Sequence, residues 1–305
     1  KGNKSNGENY INKAIKNGAI LVICKKKCKF QSSKIDILKV NNVRSLLTDI
    51  TNRYYKIKPK NIIAVTGTNG KTSVADYFYQ ILNKNKIPVA SIGTLGIKYK
   101  NKRIKTSLTT PDVITLHKYL EKIKKSKIDN VIIEASSHGL HQKRLDKLDI
   151  KAGIFTNFTQ DHLDYHKTMK SYFHAKMILF SKLLKEKKYV IADKSIKQFS
   201  TLKKISKRKK LKVKDISEVL LQIENMSLPL AGSFQIKNLS MAILAAKLCN
   251  VKYFKIKKVL KKISNIDGRL DLVKKFSNNR KIFIDYAHTP DALNEVLKLI
   301  KEKYN

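Results

Sequence analysis

From Asn61 onward the chain alternates short apolar runs with helical ones, and a turn rich in glycine and lysine joins the first run to the first helix. This alternation narrows the possible folds more than any other feature, because it demands a mainly parallel sheet with helices on both faces. Ile62-Ile63-Ala64-Val65 reads as a buried strand, and Ser73–Asn83 as a helix with apolar positions at helical spacing. A strand over Val89–Ile92 follows, then a helix opened by Thr110 as N-cap with Pro111 in its first turn. Asn130–Glu134, Ala152–Phe155 and Tyr189–Ala192 are further strands, with a long helix from Thr168 to Lys185 before the last. Residues 211–230 read as short strands forming an antiparallel edge, followed by helices over Ile236–Cys249 and Lys255–Ser264. After Gly268 the strand pattern restarts with Leu270–Phe276 and Ile282–Asp285, and a helix begins at Pro290.

Residues 1–57 hold too little for a domain of their own: a helical run Tyr10–Asn17, an apolar strand Ala19–Ile23 and an amphipathic run Val43–Tyr55, with Pro59 marking a linker. The expected division is a partial N-terminal α/β domain over 1–57, a central α/β domain over 58–266, and the start of a third domain over 267–305. Lys1-Gly2-Asn3-Lys4 carries neither an initiator Met nor an apolar signal region, so the chain is expected to start within a domain and, at Asn305, to stop within another.

A formal charge of +42 raises nucleic acid or an anionic membrane as partners. The excess is nearly all lysine, spread along the chain beside many Asn and Ile, a pattern of AT-rich codons rather than an Arg-and-aromatic binding stripe. The expectation is therefore no nucleic acid, and no membrane, since no apolar run approaches the ~18 residues of a spanning helix. Three cysteines, an odd number, fit a reducing cytoplasm, and Cys24 and Cys28 read as ordinary thiols without a second pair to complete a zinc site. The molecule is expected to be a cytoplasmic monomer.

Thr66-Gly67-Thr68-Asn69-Gly70-Lys71-Thr72-Ser73 lies between a buried strand and a helix, the context a phosphate-binding loop needs. Glycines let backbone N–H groups turn toward phosphates, and the helix adds its positive N-terminal end. Lys71 can reach the β- and γ-phosphates, and the Thr72 hydroxyl can hold Mg²⁺. Val65 stands where the longer phosphate-loop pattern has its first Gly, so this is a shorter variant.

With Ser107–Asp112, Glu134–Arg144, Thr156–His166, His174-Ala175-Lys176, Ala231–Asn238, Gly268-Arg269 and Asp285–Asp291 added to this loop, the chain resembles the Mur ligase family over essentially its whole length. The Thr-Thr-Pro-Asp and Ser-Ser-His-Gly-Leu blocks point to the branch that adds the third residue of the cell-wall peptide, diaminopimelate or lysine. The loop and the Asp-His-Leu-Asp block are also shared with folylpolyglutamate synthases. The resemblance implies a phosphate-loop central domain, a Rossmann-like C-terminal domain, and an ATP-dependent amide ligase. In it the D-Glu γ-carboxylate of UDP-MurNAc-L-Ala-D-Glu attacks the ATP γ-phosphate, and the amine of a diamino acid displaces phosphate from the acyl phosphate. Two anions meet in the first step, so concentrated positive charge is required.

By that resemblance Lys71, Glu134, His162 and Lys176 are the catalytic set, with Thr72, Glu134, His162 and Lys176 on Mg²⁺. ATP is assigned Gly67, Thr68, Asn69, Gly70, Lys71, Thr72, Ser73, Asn238, Arg269 and Asp285, flanked by Tyr286 and His288. Thr109, Thr110, Ser136, Gln142 and Arg144 are assigned to the UDP-MurNAc-dipeptide. Lys176 lies in an apolar helix where a lysine would ordinarily snorkel; the family carbamylates the matching lysine with CO₂, which makes it a carboxylate-like metal ligand. His162 and His166 also satisfy an H-x-x-x-H zinc spacing, but Asp161 and Asp164 favour Mg²⁺ with oxygen ligands. Gln235 departs from the family's more frequent Asn. His138 and His141 read as structural. The alternatives are a folylpolyglutamate-synthase-like or other Mur ligase, a basic nucleic-acid-binding NTPase, and a non-catalytic remnant. Residues 1–305 by themselves are expected to bind ATP weakly and to complete no ligation.

Overall fold

The computed structural model describes residues 6–224, 226–230, 232–277 and 280–304, so Ala231, first residue of the Ala231–Asn238 block, and Asn225 of the 211–230 stretch lie outside the described residues. The chain divides into two compact units, Lys1–Tyr54 and Tyr55–Asn305. In the first, helix α1 (Ile11–Lys16) and strands β1 (Leu21–Lys25) and β2 (Asp36–Val40) precede helix α2 (Val43–Tyr54). β1 and β2 pair in parallel, and Ile11, Val22, Cys24 and Cys28 form a small core. All three cysteines are free and buried.

The second unit starts with β3 (Asn61–Thr66) and α3 (Lys71–Lys84), followed by β4 (Val89–Gly93), β5 (Gly96–Tyr99), β6 (Lys102–Ile104), α4 (Val113–Lys125), β7 (Asn130–Glu134), α5 (Ser137–His141) and β8 (Ile150–Phe155). Then come α6 (Leu163–His166), α7 (Met169–Ile178) with a π-helical continuation over Leu179–Leu183, β9 (Tyr189–Ala192), α8 (Phe199–Arg208), β10 (Lys212–Asp215), α9 (Ser217–Ile223), α10 (Ser233–Leu248) and α11 (Tyr253–Leu260). An antiparallel pair, β11 (Asp271–Lys275) and β12 (Lys281–Ile284), leads to α12 (Pro290–Tyr304).

Eight strands form one sheet in the order β10-β9-β8-β3-β7-β4-β5-β6, parallel from β10 to β4 and antiparallel at β5 and β6. Both faces of β3 are covered. Ile63 and Val65 join the core under α3 and α10, while Ile62 and Ala64 join the core under α4 and the π-helical segment. That is why the run is apolar throughout rather than alternating.

Two expectations are corrected. The described residues of 211–230 hold no antiparallel edge: β10 pairs in parallel with β9, and Ser217–Ile223 is helical. The antiparallel edge lies at the other end of the sheet, in β5 and β6. Thr110 does not cap the helix; Asp112 does, its Oδ1 accepting from the N–H groups of Ile114 and Thr115 at 3.0 Å each. A carboxylate one residue after Pro111 reaches two of the orphan N–H groups of the first turn, leaving Thr110 to other contacts.

Several helices end in the same way without glycine. After α3, α4, α8 and α10 the chain turns through a left-handed Lys86, Lys127, Lys210 or Asn250. The following Ile87, Ile128, Leu211 and Val251 each donate their N–H back into the last turn, to Leu82, Ile123, Ser206 and Ala246.

Candidate functional site

Parallel pairing sets β3 between β7 and β8, with Val65 opposite both Glu134 and Ile154. The carboxyl ends of these strands, and the loops that leave them, therefore emerge side by side, where open α/β sheets bind their ligands. The loop after β3 is braced on the loop after β8: Thr68 N–H donates to Asn157 O at 3.0 Å, Asn69 N–H to Asn157 Oδ1 at 2.8 Å, and Thr156 Oγ1 to Asn69 O at 2.6 Å. Gly70, at φ +82°, starts α3; a Cβ there would stand 2.5 Å from Asn238 Oδ1, so only glycine fits. No side chain caps α3, which leaves its first N–H groups open to an anion.

Two lysines converge on this loop. Lys71 Nζ donates to Gly67 O at 2.9 Å and Thr68 O at 2.6 Å, and burial lowers its pKa against the pull of Glu134 and Asp161. Lys176 is 1% exposed and does not snorkel; its Nζ donates to the same Gly67 O at 2.6 Å and lies 4.3 Å from the Tyr172 ring centre. Burial, and then the charge of Lys71, hold its pKa well below the usual amine range.

Glu134 ends β7 as a buried carboxylate. It accepts from Thr72 Oγ1 at 3.0 Å, from Thr94 N–H at 2.8 Å and from Thr94 Oγ1 at 3.1 Å. Burial raises its pKa, while Lys71 and these donors oppose the rise. Gly93 makes the room, since a Cβ there would overlap the carboxylate. Thr94 is absent from the sequence-derived set, yet it follows the end of β4, and strand ends of this kind are where site residues gather.

Arg269 Nη2 donates to Thr72 Oγ1 at 3.2 Å, and its guanidinium lies 4.7 Å from the Tyr286 ring centre. Asp285 fixes the turn that carries both, accepting from Leu270 N–H and Ala287 N–H at 2.6 Å each. Gly70, Ser73, Asn238, Arg269, Asp285 and Tyr286 border one cavity of about 270 Å³. Gln235 accepts from Tyr77 at 3.0 Å and from Asn238 at 3.4 Å, so it orients Asn238 from below.

The residues assigned to the precursor form a connected set beside Glu134. Thr94 and Thr109 hydroxyls are 3.3 Å apart. Thr110 is fully buried; its hydroxyl donates to Glu134 O at 2.6 Å and accepts from Ser136 N–H at 2.9 Å. Arg144 donates to Thr110 O and, at 2.7 Å, to Gln142 Oε1. His162, in left-handed backbone at φ +52°, lies on the next loop with Nε2 3.4 Å from Asp161, edge-on to His138 and to Tyr172. Burial lowers the His162 pKa and takes those of His138 and His166 to about 4. Among the described residues no group of three or more His, Cys, Asp or Glu is arranged to hold a metal.

The sheet and the loop between β3 and α3 define a phosphate-loop α/β protein. A family profile, the Mur ligase middle domain, matches residues 65–246, and the chain belongs to the Mur ligase family. It is 34% identical to the UDP-N-acetylmuramoyl-L-alanyl-D-glutamate–2,6-diaminopimelate ligase of Brucella melitensis, covering 99% of this chain and 66% of that protein. With the ligase of the same name from Rickettsia prowazekii it shares 35% identity, covering 99% and 67%. A solved structure of a ligase of that name superposes with a TM-score of 0.78 at 27% identity, covering 96% of this chain and 64% of the other. The chain thus spans about two thirds of the length of these relatives. No helix among the described residues is long and apolar enough to cross a membrane.

Proposed function

We propose that the protein is an ATP-dependent amide ligase that joins meso-diaminopimelate to the D-Glu γ-carboxylate of UDP-MurNAc-L-Ala-D-Glu. The observation that carries this reading is the meeting of Thr72, Glu134, Arg269, the half-buried Lys71 and the buried Lys176 on one phosphate loop, in a family whose named relatives catalyse that step.

ATP enters as the phosphoryl donor. The open N–H groups of α3 and the amine of Lys71 fit its β- and γ-phosphates; Lys71 would exchange its two carbonyl contacts for phosphate oxygens, a stronger charge-assisted pairing. Asn238, Arg269 and Asp285 border the cavity beside the loop and would hold the rest of the nucleotide. Mg²⁺ fits the Thr72 hydroxyl and the Glu134 carboxylate, whose buried acceptor oxygens lie within hydrogen-bond reach of each other. Bound there, the cation neutralises charge as the two anions approach. His162 and a modified Lys176 would complete the metal-binding set.

Arg144 and the hydroxyls of Thr109 and Ser136 suit the precursor's anionic oxygens, beside Glu134. Once the acyl phosphate forms, the acceptor amine attacks its carbonyl carbon, phosphate leaves, and the amine sheds a proton. Lys176 would serve as a carbamate: its amine nitrogen bonds to the carbon of CO₂ and loses a proton, turning a cation into an anion. Burial and the nearby charge of Lys71, which outweigh the pull of Asp161, favour the neutral amine that this reaction needs.

Because residues 1–305 by themselves are expected to complete no ligation, the test is made on a chain extended to the length of its relatives: formation of UDP-MurNAc-tripeptide and inorganic phosphate from the dipeptide and ATP, with diaminopimelate and lysine assayed in parallel. Tripeptide with diaminopimelate supports the reading. Glutamate addition to a folate, with the muramyl dipeptide ignored, would overturn it. Intact-protein mass spectrometry with and without bicarbonate tests the carbamate: the mass of one CO₂ should appear in the wild type and vanish in Lys176→Ala.

A further inference from the structure

Helix α7 has two working faces. Tyr172 and Lys176 face the phosphate loop, whereas Ser171, His174 and Ile178 border a separate groove of about 650 Å³. His141, Tyr165 and His166 form part of its wall, Thr201 and Ile205 of α8 another part, and Ser181 and Lys182 extend it along the π-helical segment. π-helical turns are rare and gather at functional sites, because the extra residue per turn re-aims the side chains it carries.

We propose that this groove is a second ligand site, for a small organic monoanion: a carboxylate on an apolar body. Its polar side chains are donors, imidazoles, hydroxyls and one amine, with no Asp or Glu among the described residues that border it. Lys182 makes no ion pair among those residues, so its charge is uncommitted. His166 is only 7% exposed, and its Nε2 has no hydrogen-bond partner among the described residues. An imidazole nitrogen buried in that way is unfavourable unless something completes it. Met177, Ile178 and Ile205 supply an apolar surface for the body of the ligand. A single lysine matches one negative charge better than the two of a phosphate.

The chain contains four methionines, and two of them separate the groove from the nucleotide cavity: Met177 borders the first and Met241 the second. Methyl NMR on the ¹³C-methionine-labelled protein, titrated with benzoate, should move the Met177 signal saturably and leave Met241 in place. Benzamide, the uncharged counterpart, should move neither, and Lys182→Gln should weaken the benzoate response about tenfold, the loss of one charge-assisted contact. A still Met177 signal, an equal response to benzamide, or an unchanged response in Lys182→Gln would each overturn the proposal. Inorganic phosphate is the control for the apolar body. Saturation of Met177 by phosphate at lower concentration than by benzoate would sink the carboxylate assignment.

Discussion

Glu134 shows how one side chain is tuned by its supports. Its carboxylate is buried, which raises its pKa, and the nearby Lys71 together with three hydrogen bonds opposes that rise. Thr94→Val removes one donor and preserves shape. In the proposed reading it should cut Mn²⁺ affinity, measured by electron paramagnetic resonance, by roughly tenfold, as losses of supporting contacts at metal ligands do. Metal-free ADP affinity should stay within error. His117 shows the opposite case, an imidazole at 0% exposure on the inner side of α4, both nitrogens without partners among the described residues, its pKa held near 4 mainly by burial. Its folded pKa lies below the unfolded value of about 6.5, so the unfolded chain binds the extra proton. Stability is therefore complete above about pH 6.5 and is lost as pH falls toward 4, by up to ~3 kcal/mol. His117→Leu should shift the midpoint of acid unfolding to lower pH; an unmoved midpoint would show that another group sets it.

At the scale of elements, the sequence was most readable where both faces of a strand are buried. Ile62–Val65, Val131–Ile133 and Ala152–Phe155 are unbroken apolar runs, and each lies in a strand. It was least readable at the β5–β6 hairpin, where Lys102-Arg103-Ile104 is polar and the turn consists of Lys100 and Asn101, both at positive φ, with no glycine to announce it. Thr110 misled because a hydroxyl before Pro111 matches a cap pattern, although the buried Glu134 carbonyl competes for it. Thr94 was invisible because its importance comes from a strand pairing some forty residues away. The missing glycines have an energetic side. A left-handed lysine costs about 1 kcal/mol relative to glycine at a helix C-terminus. Lys86→Gly, Lys127→Gly and Lys210→Gly should each raise stability by ~0.5–1 kcal/mol in urea unfolding, with near-additive effects at such separated sites. A drop on substitution would mean that the lysine side chains contribute packing there.

At the scale of the whole molecule, the excess lysine settles on outward surfaces. Lys203, Lys204, Lys207, Lys212 and Lys214 are all exposed, the last two on the edge strand β10, where charge discourages pairing with other chains. Because the two compact units each have a core, residues 55–305 alone should keep the phosphate loop intact. Calorimetric ADP affinity of that segment is expected to match the 305-residue chain within about threefold, well under one kcal/mol; a larger loss would show that the first unit supports the loop. The strand order has a further consequence, for synthesis. β3 and β4 leave the ribosome early, but they are not neighbours in the sheet, and the strand that joins them, β7, lies nearly seventy residues after β3. β8, the other neighbour of β3, comes later still. At ~5–20 residues per second β3, buried on both faces in the folded sheet, waits several seconds without a partner on either side. The phosphate loop thus takes shape late, after the translating chain has passed through its most aggregation-prone interval.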